Sequence, residues 1–281
     1  MEFVHDYDED DSARKLHAAE SMREHPMFIL PWEEFVGKNT QINSSFGNPG
    51  GTLFCIDEGV EPESFGLRGR YMDAVYLAGS GVLAKKRDGL LSDLRGKVTS
   101  VASHHDCAAC AAANKNPMTW SAELAKDLGV PYEGHIHHLS RPPFHDAAAI
   151  YIDGTGRFQS PKRGGLPRGL TLTRWLTNDE EYFRNELALA FKVVLGNHGL
   201  GAQNFDPGHP LKVIAIGASH SNGEISAQDI HTEIADILSS QAFAKQCESL
   251  VNAGTWNPDT IELLGLEAPY YDSYANTTRV S

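Results

Sequence analysis

Apolar residues along the chain gather in short runs set between longer polar stretches, and the runs follow two different spacings. Thr52 to Asp57, Asp73 to Leu77, Lys97 to Ser103, Ala147 to Ile152 and Leu211 to Gly217 are brief and apolar, as strands buried on both faces of a parallel sheet are. Helical spacing dominates elsewhere. Asp179 to Leu195 carries Phe183, Leu187, Phe191 and Val194 on one stripe, and Ile230, Ile234, Ile237 and Leu238 make a second helix face. Leu90 to Leu94 begins a helix, Trp120 to Leu128 forms another that Gly129 is placed to end, and the run of alanines from Ala108 to Ala113 has high helix propensity. The alternation predicts an α/β fold, a mostly parallel central sheet flanked by helices and wound by right-handed crossovers.

The pattern also divides the chain. Residues 1–51 read as an N-terminal tail and helical arm: an acidic opening from His5 to Asp11, a helix from Ser12 to about Glu24, breaks at Pro26 and Pro31, a short helical turn from Trp32 to Val36, and a polar loop from Asn39 to Gly51. Residues 52–160 form an α/β region, and 161–281 an α/β extension that can continue the same sheet. The basic stretch Pro161 to Gly169, rich in Gly and Pro, is the boundary between them. No internal repeat is visible, and the segment after Pro269 reads as an arm or a tail.

Composition narrows the function classes. A formal charge of -13 over 281 residues repels a polyanion from most of the surface, so nucleic acid is not an expected partner. No apolar run approaches the length of a bilayer span, and the first residues lack the basic start and apolar core of a signal peptide. The expected location is therefore cytoplasmic, with no membrane partner. In that setting Cys55, Cys107, Cys110 and Cys247 serve as ligands, reactive thiols or core residues rather than as disulfides, and Cys247 falls in a helical pattern as core.

The chemistry concentrates at two expected strand ends. Cys55-Ile56-Asp57 follows the first central strand, and His104-His105-Asp106-Cys107 follows the third. Ligands collect where the strands of an open α/β sheet end, and two thiols with an imidazole suit zinc. With Asp106 at or near a helix N-cap, Cys107 would sit in the first turn, where the helix dipole favours thiolate. Other groupings use some of the same residues. His104, Cys107 and Cys110 could hold a closed structural zinc, and Cys107 with Cys110 could be a redox dithiol. His135 and His137, on one face of a strand with His138 and His145 nearby, could form a second metal site or proton relay, or be hydrogen-bonded structure. Ser219-His220-Ser221 follows a strand without an identifiable acid partner, and Asp153-Gly154-Thr155-Gly156 reads as a turn. Between the two motifs, the glycines of Ala78-Gly79-Ser80-Gly81 permit close backbone approach or positive φ.

Taken together, Cys55-x-Asp57 and His104-x-x-Cys107, each at a strand end and in that order, resemble the paired motifs of β-class carbonic anhydrases, and Ala78-Gly79-Ser80 is similar to that family's Ala-Gly-Asn segment. The resemblance covers roughly Thr52 to Ala113. It implies zinc held by Cys55, His104 and Cys107, with water or the Asp57 carboxylate in the fourth position. It further implies reversible hydration of carbon dioxide to bicarbonate by zinc-bound hydroxide, and a homodimer or larger homo-oligomer with its site at the interface. Asp57 would accept a hydrogen bond from the nucleophile, or ligate the metal and close the site. The chain departs from the family at Gly59, where the first motif has Arg, and Tyr76-Leu77 stand in place of a further Arg-Asn. Arg68 or Arg70 could replace the missing partner in space. The departure leaves two alternatives: hydrolysis of carbon disulfide or carbonyl sulfide on the same scaffold, and a non-catalytic, zinc-stabilised binding protein.

Overall fold

The computed structural model describes residues 28–30, 51–57, 60, 74–84, 88–136, 147–156, 169–195, 205–206, 208–217, 225–246 and 260–267. The helices expected near 12–24 and 32–36, the tail after Pro269, and Cys247 lie outside the described residues. Within them the fold is α/β, as the alternation predicts. In chain order the elements are β1 (Phe28–Leu30), β2 (Gly51–Phe54), β3 (Ala74–Tyr76), α1 (Asp88–Leu94), β4 (Val98–His104), α2 (Ala108–Ala112), α3 (Pro117–Leu128), β5 (Tyr132–Ile136), β6 (Ala149–Asp153), β7 (Gly169–Thr173), α4 (Glu180–Val193), β8 (Leu211–Gly217), α5 (Ala227–Leu238), α6 (Gln241–Gln246) and β9 (Ile261–Glu267). Among the described residues no helix is long and apolar enough to cross a membrane.

The strands make two parallel sheets rather than one. The first is ordered β3-β2-β4-β5 and the second β1-β9-β8-β6-β7. β2, β3, β6 and β7 are buried along their whole lengths, which is why the first three read as short apolar runs. The chain changes sheet between Ile136 and Ala149. The Gly/Pro-rich stretch from Pro161 to Gly169, where composition suggests a boundary, runs up to the first residue of β7, which pairs with β6, so the chain after it continues the sheet that β6 belongs to. Composition there marks a connection, because Gly and Pro report local turns and say nothing of which sheet the next strand joins.

The two sheets follow the same path. From β2 the chain steps outward to β3, returns past β2 to β4 and continues to β5; from β6 it steps out to β7, returns past β6 to β8 and continues to β9. The fold is thus two units of one topology, with β1 added at the far edge of the second. Sequence shows no repeat because the burial demands of a parallel strand are met by any mixture of Val, Ile, Leu and Ala.

Local chemistry sets the helices. Asn116 caps α3, its Oδ1 accepting from the Met118 and Thr119 amides at 3.0 and 3.1 Å, with Pro117 in the first turn and Gly129, at φ 75°, closing the end. Asp179 caps α4 through the Tyr182 amide, Glu180 and Glu181 occupy its first turn and Lys192 its last, matching the helix dipole. On the inner stripe of α4, Phe183, Leu187, Ala190 and Phe191 are fully or almost fully buried, and Glu186 lies among them with no exposure.

The units meet edge to edge, β3 against β7. The Tyr76 amide donates to Thr173 Oγ1 at 3.0 Å, and the Thr171 amide donates to the Ile56 carbonyl at 3.0 Å. Lys97 Nζ donates to the Trp175 and Leu176 carbonyls at 3.0 Å each, and Thr177 Oγ1 to Asp93 Oδ2 at 2.8 Å. Glu186 completes the junction. Its Oε2 accepts from the Ala78 amide at 2.8 Å, and its Oε1 accepts from the Tyr182 hydroxyl.

Burial raises the Glu186 carboxyl to about 7, against the lowering effect of the two hydrogen bonds it accepts. A carboxyl raised on folding stabilises most fully below its unfolded value, near 4.5, and loses that contribution as pH rises through about 7. Denaturation followed between those limits is expected to show stability falling with pH, with a slope approaching about 1.4 kcal/mol per pH unit. Glu186→Gln should flatten that slope; an unchanged slope in the variant would remove Glu186 as its source.

Candidate metal centre

The sulfur and imidazole donors come from two adjacent strand ends. β2 and β4 pair in parallel, with Leu53 opposite Val101, so the residues that follow Phe54 and those that close β4 leave the sheet side by side. Cys55 is the first residue beyond β2, His104 the last of β4, and Cys107 lies three residues further on. The structure brings these three together and buries all of them, with one ligating atom from each lying within 4.8 Å of the others. The Cys55 and Cys107 sulfurs are 3.7 Å apart. Two thiolates each about 2.3 Å from a tetrahedral zinc would stand about 3.8 Å apart, so the pair has the spacing that such a metal requires.

Asp106 does not cap α2. It adopts φ 53° in the left-handed region, which turns the chain so that Cys107 becomes the N-cap, its sulfur accepting from the Cys110 amide at 3.4 Å. The thiol is therefore just outside the first turn, at the end of a helix only five residues long. The amide of Cys110 still favours the thiolate, but larger effects outweigh it. Burial pushes the Cys55 thiol well above its ordinary range, reinforced by Cys107. Cys107 is raised as well, first by its contact with the Cys110 thiol and then by burial. Burial works to lower His104, but the facing Cys55 and the nearby Asp57 carboxylate outweigh it and raise the imidazole to about 9. All three donors hold their protons tightly, so a cation must displace protons to bind and gains affinity as pH rises.

Asp57 is 5% exposed and close enough to His104 to act on its charge, yet it stands outside the group of three mutually close ligating atoms. Three protein donors with a carboxylate nearby is the pattern of a metal site that keeps one position open, whereas structural zinc sites use four. Cys110 is also outside the group. Its thiol is buried and directed at the Gly79 carbonyl, 3.6 Å away. Gly79, at φ 55°, lets that contact form: a Cβ there would lie 2.8 Å from the Cys110 sulfur. Gly59, Arg68 and Arg70 lie outside the described residues.

Behind the metal donors is a second polar group that the histidine pattern alone did not define. Ser103 points to the opposite face of β4 from His104 and bonds to the Tyr132 hydroxyl at 2.6 Å and to His135 Nδ1 at 2.8 Å. His105 is half exposed, edge-on to His135 with ring centres 6.1 Å apart, and pairs with the exposed Asp106 at 3.1 Å. His135 is thus tied to β4 by a hydroxyl. His137, His138, His145 and the Ser219-His220-Ser221 stretch lie outside the described residues.

The second unit has no equivalent metal site among the described residues. Where His104 ends β4, Gly217 ends β8, and a Cβ on Gly217 would lie 1.8 Å from the Ala227 amide nitrogen, because α5 begins directly against the strand end. At the end of β6, Asp153 is fully buried and its Oδ1 is taken by the Thr155 amide and hydroxyl at 2.8 and 2.6 Å, a closed turn. The buried polar residue missed in the sequence is Glu186. A carboxylate in the apolar stripe of an amphipathic helix is costly to bury and calls for specific partners.

The fold and site define an α/β protein of two parallel sheets with, among the described residues, one buried Cys/His/Cys cluster. No family model, curated protein or solved structure matches the chain.

Zinc-loaded protein should carry about one equivalent per chain by elemental analysis, since among the described residues one strand-end cluster offers soft donors. Cys107→Ser should lose most of that metal and Cys110→Ser should retain it. Equal losses in the two variants would instead favour the closed site of His104, Cys107 and Cys110.

Proposed function

We propose that the chain is a zinc-dependent lyase of the β-carbonic-anhydrase kind, catalysing the reversible hydration of carbon dioxide to bicarbonate. The observation that carries the reading is the set of three buried donors, Cys55, His104 and Cys107, with sulfurs 3.7 Å apart and no fourth ligating atom grouped with them among the described residues. Held there, zinc would supply the Lewis acidity that makes a water nucleophilic near neutral pH. Cys55, just beyond β2, and Cys107, at the N-cap of α2, would hold it, and His104 would complete the set from the end of β4. Their burial removes the donors from bulk water, which supports a small substrate such as carbon dioxide.

Asp57 is the residue assigned to the proton. Its carboxylate is buried and close enough to His104 to act on its charge, yet outside the donor group, which supports a role in which it would accept a hydrogen bond from the attacking water. The Thr171 amide, by holding the Ile56 carbonyl, fixes the backbone between Cys55 and Asp57. Stopped-flow pH-indicator assays of the zinc-loaded chain are expected to show hydration well above the uncatalysed rate. Asp57→Asn should lower it by about 100-fold or more while keeping the metal. A metal-replete chain inactive on carbon dioxide but active on carbonyl sulfide or carbon disulfide would transfer the reading to those substrates, and one inactive on all three would leave a metal-stabilised binding protein.

A further inference from the structure

We infer that Glu186, a residue of the second unit, is a positioning residue for the metal donors of the first. The inference rests on the metal reading of Cys55, His104 and Cys107 and extends it across the junction. The link is the 3-10 turn Ala78–Ser80, which touches β2, β4 and α2, the three elements that present those donors. It also touches α4, and the contact with α4 is polar: Glu186 Oε2 holds the Ala78 amide at 2.8 Å.

The turn is held in an unfavourable form. Gly79 and Ser80 both have positive φ, 55° and 52°, and Ser80 is a buried non-glycine. Such backbone persists only where its surroundings over-determine it. Glu186 fixes the first amide of the turn, and the Gly79 carbonyl then receives the Cys110 thiol at 3.6 Å. Cys110 in turn donates its amide to the Cys107 sulfur at 3.4 Å. A continuous set of contacts therefore runs from Glu186 through Ala78, Gly79 and Cys110 to a metal donor. Glu186 is itself fixed by Tyr182, one helical turn away on α4.

The choice of a carboxylate supports a role beyond packing. Its neighbours Phe183, Leu187 and Ala190 are apolar and buried, and an apolar residue at 186 would continue that stripe without the cost of burying an acid. What an apolar residue cannot do is accept the Ala78 amide. The second unit, in which α5 packs directly on the end of β8, thus supplies the brace for the unit that carries the donor cluster.

The test uses the full chain and cobalt(II) alone, whose thiolate charge-transfer and d–d bands report ligand identity and geometry. Wild-type protein showing no thiolate bands would overturn the metal reading and this inference with it. Given those bands, Glu186→Ala should bind cobalt about 10- to 100-fold more weakly, the range found when groups supporting metal ligands are removed, and should shift the d–d envelope. Glu186→Gln, whose amide oxygen can still accept from Ala78, should restore both. Leu187→Ala, at an equally buried neighbour without a link to the turn, should lower Tm yet leave the cobalt spectrum unchanged. Wild-type affinity and spectrum in Glu186→Ala, or the same spectral shift in Leu187→Ala, would overturn the inference. Should Glu186→Ala fail to fold, Tyr182→Phe settles the question by the same spectrum: a shifted envelope supports the brace, and an unchanged one refutes it.

Discussion

Burying two thiols and an imidazole together at adjacent strand ends is the constraint on which the rest of the structure turns. Each donor is removed from water and holds its proton: burial raises Cys55, Cys110 raises Cys107, and the facing Cys55 raises His104, so the thiols stay neutral and the imidazole stays protonated at neutral pH. A group so arranged costs stability unless a cation enters and takes the donors over. The parallel pairing of β2 with β4 brings the two chain ends level, and the left-handed residue Asp106 sets the Cys107 sulfur back towards Cys55.

The second unit answers to that constraint. It repeats the strand path of the first, but α5 packs directly on Gly217 at the end of β8, and its Asp153 is spent on a turn. Its contribution lies at the junction, where β7 holds the backbone beside Cys55 through Thr171, and α4 reaches the 78–80 turn through Glu186. Duplication of a topology thus divides labour, with one copy presenting donors and the other holding them in place.

Much of this was legible in the apolar pattern. Largely buried strands such as β2, β4, β6 and β8 stand out because a parallel sheet demands mostly apolar runs, and α4 and α5 because their stripes are unmistakable. The donors were legible because thiols and imidazole at two strand ends are rare enough to notice. β7 and β9 were not: Gly169–Thr173 alternates Thr with Leu behind a glycine, and Ile261–Glu267 begins and ends on polar neighbours. Two separate sheets could not be read either, since pairing is decided by long-range contacts. Glu186 was hidden for the opposite reason, a charge inside a stripe whose apolar members fully account for the helix.

X-ray absorption at the zinc edge of the loaded full-length chain tests the central claim most directly. The predicted result is two sulfurs near 2.3 Å, with the remaining scatterers nitrogen or oxygen and one of them an imidazole. Three sulfurs, which would bring Cys110 into the site, or none, would contradict it.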